Sequence, residues 1–261
     1  MVTAPVAALG RGMARRLARM GALARFFART LRGWHTLPRE GRRVVNRVLV
    51  NQVYFTALQA VPIIIVLSSI LSYLVISQAV RELGRINATE FLGTLMVVAI
   101  VRELGPLLTA LVVTGRSGTA IASELGTNTV MGEVHALEGM GIDPVHYLVL
   151  PRFGAAVISV FGLVLLFDLV AIFAGLIAAS ANGMSSARYF DIVLQSLTPH
   201  DVWVTVAKGA LFGAIIGIVP SYYGLSVRGG PTGVPVAVSH AVVGSILFIF
   251  IWSALFVLVL Q

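Results

Sequence analysis

The sequence predicts an all-α membrane protein: an N-terminal amphipathic interfacial helix, then five transmembrane helices, with a cytoplasmic helix between spans two and three. Three observations predict it. The 261 residues are 57% hydrophobic and only 11% charged, whereas a soluble domain carries about 25% charged residues; this chain could not cover its surface in water. Apolar runs of bilayer-crossing length, about 20 residues, recur between shorter polar stretches. The formal charge of +8 is also lopsided: residues 1–50 hold eleven arginines and one acid, Glu40, a net of +10, while the remainder nets −2. The chain thus divides into a basic amphipathic helix and linker, 1–50, and a transmembrane domain, 51–261.

In the arm, Leu9, Met13, Leu17, Met20, Ala24, Phe27, Leu31 and Trp34 recur at steps of three and four, which makes one apolar helical stripe. Arginines fill much of the other side. Such a helix lies in the headgroup layer, with Trp34 as an interface anchor. No apolar core follows the first charges and arginines continue to Arg47, which argues against a cleaved signal; an Arg-rich transit peptide is the alternative.

No charge occurs between Arg47 and Arg81, so a first span is placed at about 53–77, with Pro62 as a kink. A polar turn, Arg81 to Glu90, leads to a second helix at about 91–123. A polar block follows, then a third span at about 152–179, an external loop at 182–199, a fourth span at about 202–225, a glycine- and proline-rich turn at 226–235, and a fifth span at about 236–260. The arginine-rich arm sets the N-terminus and the 124–151 block in the cytoplasm and the C-terminus outside; Arg81 and Arg85, at an outer end, oppose this weakly. Gly209, Gly213 and Gly217 recur every four residues in the fourth span, a spacing that lets helix backbones approach closely, either within the chain or at a dimer seam.

Several chemistries are excluded. The chain has no cysteine, hence no disulfide or thiol nucleophile. It has no GxxxxGK[ST] loop, and its one lysine, Lys208, lies inside a span, so it does not itself cradle nucleotide phosphates. The five histidines, at 35, 135, 146, 200 and 240, form no i,i+4 pair, so no metal site is expected. No GxSxG elbow is present, and no catalytic residue is assigned. What remains is charge at membrane depth. Counting from Phe91, Arg102 and Glu103 fall about 16–18 Å into the second helix, near mid-bilayer, where they either line a polar path or pair to brace helices. Asp168 and Lys208 fall at matching depths in the third and fourth spans and form a candidate structural ion pair.

The polar block, Val101 to Arg152, is the longest patterned polar stretch. Its acids, Glu124, Glu133, Glu138 and Asp143, suit docking to a soluble partner. A short surface helix is expected from Glu124 to Met140, with Gly139, Gly141 and Pro144 turning the chain back. The block reads Arg102-Glu103-Leu104-Gly105-Pro106, Thr109-Ala110-Leu111, Gly115-Arg116, Gly118, Glu124, Gly126-Thr127, Ala136-Leu137-Glu138, Met140-Gly141, Asp143-Pro144 and Pro151-Arg152. In this it resembles the MlaE (YrbE-type) permease family, the membrane subunit of MCE-associated ABC transporters. Asp168-Leu169-Val170, Lys208, Phe212-Gly213, Tyr222-Tyr223-Gly224, Gly229-Gly230 and Gly233-Val234 extend the likeness over roughly 45–261.

The resemblance implies a homodimer of permeases. It implies a separate ABC ATPase dimer that carries ATP, so that this chain binds no cofactor and is not itself an enzyme. It further implies a periplasmic MCE-domain protein, in a hexameric ring, and a small regulatory subunit on the ATPase. The cargo would be phospholipid, moved between the inner and outer membranes of a bacterium, with this chain in the inner membrane. Arg102, Glu103 and Arg116 would then lie on the substrate path. Glu124, Gly126, Thr127, Glu133, Glu138, Gly141, Asp143 and Pro144 would couple to the ATPase. The likeness departs from the family pattern at Gly132-Glu133, where Glu-Gln is usual, and Gly132 is expected to weaken the coupling helix by up to about 1 kcal/mol relative to Ala. It departs also at Ser239-His240 and at Ser253. Two rivals stand beside this reading: an ion-coupled carrier using Glu103 and Asp168, and a non-transporting scaffold. Nucleic-acid binding by the arm is disfavoured for lack of stacking aromatics and a soluble domain.

Overall fold

A computed structural model of the chain describes residues 21–33 and 39–260, with side chains described for 21–33 and 46–259. Leu9, Met13, Leu17, Met20 and Trp34 of the expected arm stripe lie outside the described residues. Helix α1 covers 21–33. Among the described residues five helices are long and apolar enough to cross a membrane: α2 (Asn46–Arg85), α3 (Phe91–Val130), α5 (Val145–Ala181), α7 (Pro199–Leu225) and α8 (Gly233–Val259). Two short helices join them, α4 (Glu133–Gly139) and α6 (Ser186–Ser196). No strand occurs among the described residues. The protein is an all-α, multi-pass membrane protein.

Each span is longer than, or displaced from, its hydropathy window. The second helix runs on to Val130 rather than ending near 123, and the third begins at Val145 rather than 152. Hydropathy marks the lipid-immersed part only, whereas backbone hydrogen bonding continues until something stops it. Here the stop is chiral: Gly132 at φ 81° and Gly141 at φ 76° adopt the left-handed region, which costs other L-residues roughly 1–2 kcal/mol. The expected helix over 124–140 is therefore cut in two, its first half belonging to α3 and its second being α4. Gly132 does not sit inside a helix and weaken it; it breaks one helix and starts the next.

The expected loop at 182–199 instead holds α6, capped where the Ser185 side chain accepts from the Arg188 N–H. Tyr189 on α6 is fully buried and donates to the Ile172 carbonyl at 3.1 Å. Burial desolvates its phenolate and pushes the pKa above the ordinary range. Helix α7 starts on a capping box, with Thr198 and Asp201 bonding each other's backbone N–H groups and Pro199 at the first position.

Helix α5 is the centre of the bundle, packed between α2 and α7. The glycine stripe of α7 faces it. A Cβ on Gly213 would lie 2.6 Å from the Val157 Cα, one on Gly217 2.8 Å from the Phe153 Cα, and one on Gly209 at an ordinary 3.5 Å from the Phe161 Cα. The close approach is thus made within the chain, where dispersion between backbones replaces the hydrophobic drive that lipid does not supply. Helix α8 packs on α7 and on the far end of α3 and leaves most of its apolar surface uncovered.

Helix α1 has one packed face and two exposed flanks. Leu23, Thr30 and Gly33 are buried against the bundle and Phe26 is half-buried beside them. Ala24, Phe27 and Leu31, the described part of the expected stripe, are exposed on one flank, and Arg25, Arg29 and Arg32 on the other.

Candidate functional site

The second span is not uniformly α-helical. Met96–Leu104 is wound as a π-helix and Gly105-Pro106 follows at once. Single-turn π segments often mark functional sites. Here the sequence shows why the site needs company. Pro106 has no N–H, so the carbonyls four and five residues earlier, Arg102 and Val101, lose a backbone donor. Both find one on α7: Lys208 Nζ donates to the Arg102 carbonyl at 2.9 Å and Thr205 Oγ1 to the Val101 carbonyl at 3.3 Å.

The charges follow the same seam. Lys208 Nζ lies 2.5 Å from Glu103 Oε1, and Arg102 Nη1 lies 3.4 Å from Asp201 Oδ1. Asp201, Thr205 and Lys208, at spacings of four and three, present one face of α7 to Val101, Arg102 and Glu103. Two cations and two carboxylates therefore close a neutral cluster. The cluster is not evenly hidden: the Lys208 side chain is 1% exposed, that of Glu103 28%. Glu103 thus keeps an accessible edge while its partner is sealed. Lys208 also sits 5.9 Å from the Phe256 ring centroid on α8.

Phe91–Leu95 packs against α6, with Gly93 beside Ile192, so counting from Phe91 starts beyond the first turn of α7. Arg102 pairs with the third residue of α7, Asp201, and Glu103 with a residue two turns deeper. Asp201 was not singled out in the sequence. Its signal was the Thr198-x-x-Asp201 capping box, which hides a second role: the same carboxylate that accepts from the Thr198 N–H at 2.9 Å also faces Arg102.

The expected Asp168–Lys208 pair does not form. Asp168 on α5 is buried, its Oδ1 has no hydrogen-bond partner among the described residues, and it stands against Gly105. Matching depth in the sequence was not enough, because depth along a span says nothing about which way the side chain points. Arg116, the third substrate-path candidate, lies in another π segment, Thr114–Gly118, and donates to the Phe55 carbonyl at 3.3 Å and to the Gln59 side chain. It ties α3 to the π turn Tyr54–Leu58 of α2 and does not join the Arg102 cluster.

The residues of the polar block separate by environment. Glu124 is bound by buried Arg152 at 2.7 Å. A Cβ on Gly126 would meet Val227 at 3.1 Å, so this glycine serves the packing of α3 on the 226–235 turn. Asp143 accepts from the Val145 N–H at 2.9 Å through Oδ1 and from Arg29 of α1 at 2.9 Å through Oδ2, and Pro144 beside it is buried. These four hold the block in shape. Thr127, Glu133, Glu138 and Gly141 are exposed. With them stand Met131 at 70% and Met140 at 66% exposure, flanking α4, a flexible apolar pair of the kind adaptable binding surfaces use. Sequence reasoning missed both methionines.

Comparison with known proteins bears on this geometry. The family model described as Permease MlaE matches residues 49–259. A probable ABC transporter permease protein of Rickettsia prowazekii is 33% identical over 205 residues, 78% of this chain and 79% of that one. A probable ABC transporter permease protein of Synechocystis is 32% identical over 210 residues, 80% of each. An Arabidopsis thaliana protein named trigalactosyldiacylglycerol 1, chloroplastic, is 35% identical over 175 residues, 67% of this chain and 50% of its own length.

Proposed function

Since the chain belongs to the MlaE family of ABC transporter permeases, and so works with an ATPase and other subunits, we propose that its cargo is phospholipid or a related lipid. The lipid passes between the inner and outer membranes of a bacterium through a homodimer of this chain, an ATPase dimer on the cytoplasmic side and a periplasmic MCE-domain ring. The N-terminus is cytoplasmic and the C-terminus periplasmic. One observation carries the reading: a charged cluster with an accessible carboxylate edge, Arg102 and Glu103 against Asp201 and Lys208, is built into a bundle whose helices also leave apolar faces uncovered. Polar groups at membrane depth beside apolar walls suit an amphiphile, whose headgroup and acyl chains need both at once. The lipid word in the Arabidopsis relative's name agrees with that choice.

In this mechanism ATP binding closes the ATPase pair against Met131, Glu133, Glu138 and Met140. Their helix, α4, pivots on its two left-handed glycines, and α3 carries the motion to the Arg102–Glu103 level. The chain supplies no nucleotide chemistry of its own. Affinity purification from native membrane in mild detergent, with mass spectrometry of proteins and lipids, tests the proposal. Co-recovery of a P-loop ATPase, an MCE-domain protein and phospholipid supports it. Recovery of the permease alone, under conditions that keep other membrane complexes intact, refutes it.

A second reading has its own observation. The buried Asp168 Oδ1, without a hydrogen-bond partner among the described residues, suits an ion-coupled carrier, which predicts transport driven by an ion gradient without ATP and abolished by Asp168→Asn.

A further inference from the structure

We infer that the cleft between α1 and the start of α5 is a binding site for the phosphate headgroup of an anionic lipid in the cytoplasmic leaflet. The leaflet rests on the orientation proposed above; the chemistry rests on the site itself.

The cleft, of about 480 Å³, is lined by Arg25, Ala28, Arg29, Arg32, Asp143 and His146. Arg25, Arg29 and Arg32 stand at i, i+4 and i+7, on one flank of α1, and Ala28 between them keeps the floor low. Three guanidiniums thus line a space that contains one carboxylate. That carboxylate is already engaged at both oxygens. Asp143 Oδ1 accepts from the Val145 N–H at 2.9 Å, and Oδ2 accepts from Arg29 at 2.9 Å and faces His146 Nδ1 at 3.6 Å. Asp143 therefore anchors the middle arginine and closes the start of α5, and the lining residues offer Arg25 no other acid. Planar guanidiniums in a concave site are the side chains suited to phosphate oxygens.

The lipid source follows from the opposite flank of the same helix. Phe27 and Leu31 are 37% and 43% exposed, with Phe27 edge-on to Phe153 of α5, so α1 carries a partly exposed apolar flank and a basic flank on either side of its buried face. A helix so built sits at the boundary of acyl chains and headgroups, which places the cleft at phosphate level. Its occupant would bridge α1 to the loop behind α4 and so brace the proposed ATPase-docking surface from the membrane side.

Native mass spectrometry of the full-length protein in maltoside micelles, given equal phosphatidylglycerol and phosphatidylcholine, tests this. The wild type should retain phosphatidylglycerol over phosphatidylcholine by about tenfold or more, as expected from roughly 1 kcal/mol per arginine at an anionic surface. The double variant Arg25→Gln/Arg32→Gln should lose that preference, while Arg25→Lys/Arg32→Lys keeps most of it and Arg188→Gln, on α6, keeps all of it. Monodisperse size-exclusion profiles establish that each variant is folded. An unchanged preference in Arg25→Gln/Arg32→Gln, or no preference in the wild type, would overturn the site. Displacement of phosphatidylglycerol by excess inorganic phosphate would overturn the lipid source in favour of a free anion. A lipid bound at the Arg102–Glu103 cluster would be untouched by changes at Arg25 and Arg32, so transport can fail while this preference stands, and the reverse.

Discussion

Lys208 makes the largest single wager in the chain. It is a lysine 1% exposed that holds one carboxylate and one proline-orphaned carbonyl. Removing one partner of a buried ion pair typically costs about 3–5 kcal/mol, because the other charge stays behind uncompensated. Lys208→Ala should therefore cut folded yield and lower the melting temperature, and Glu103→Ala/Lys208→Ala should recover part of the loss; strictly additive losses would exclude the coupling. Asp168→Asn should leave both unchanged, since Asp168 Oδ1 makes no hydrogen bond to forfeit. Two of the three glycines of the α7 stripe give a graded test at the same scale. Gly213→Val forces α5 and α7 apart at a 2.6 Å contact, whereas Gly209→Ala adds a methyl at 3.5 Å. The first should cost about 1–3 kcal/mol of stability in a detergent melt, and the second should be tolerated; equal behaviour would show that the stripe is not a close-packing surface.

Among the elements, α4 and α6 divide what sequence makes legible from what it hides. The five spans were legible because a bilayer imposes length and hydropathy directly, and α1 was legible in type from its period. The described part of the expected stripe, Ala24, Phe27 and Leu31, is exposed, as a helix lying in the headgroup layer requires; what its period did not announce is the second face, Leu23, Thr30 and Gly33, that packs on the bundle. Helix α6 was hidden because its moderate polarity resembles a loop, although the Ser185 cap was present. The break at Gly132 was visible as a glycine, but its sign was misread. Helix propensity holds that Ala should be better there; a φ of 81° holds the opposite. Gly132→Ala should destabilise, or shift the α3–α4 junction, by about 1–2 kcal/mol, measurable as a lower melting temperature; a stabilised variant would mean that α3 and α4 are one helix. Charge reversal of Glu133 and Glu138 should disrupt pull-down of the ATPase while leaving the fold intact, since both are exposed and neither pins the block. Intact association would remove α4 from the docking surface.

For the whole molecule, the intrachain use of the glycine stripe moves any dimer seam elsewhere. Helix α8 presents Val243, Leu247, Phe250, Ile251 and Leu255 outward, an apolar face that a second copy could cover. In a lipid-solvated protein exposure does not itself force association, so the seam needs a direct test. The absence of native cysteine makes that test clean: Phe250→Cys should cross-link two copies in native membranes, and Ile177→Cys, on α5, should not. The reverse pattern would relocate the seam to the α2–α5 side. The cluster partners were less legible than the spans for a reason that belongs to this scale. Sequence orders residues along each helix but leaves the rotation of one helix against another open, and only the assembled bundle resolves it.

Pro106 carries a further consequence. A carbonyl that Pro106 cannot serve is served here by a neighbour, so sliding α7 past α3 by one turn would break the Lys208 and Thr205 contacts to the Arg102 and Val101 carbonyls together. The two helices are thereby welded into one mechanical part. In the proposed cycle α3 therefore does not carry motion to the Arg102–Glu103 level alone: α7 travels with it as one lever.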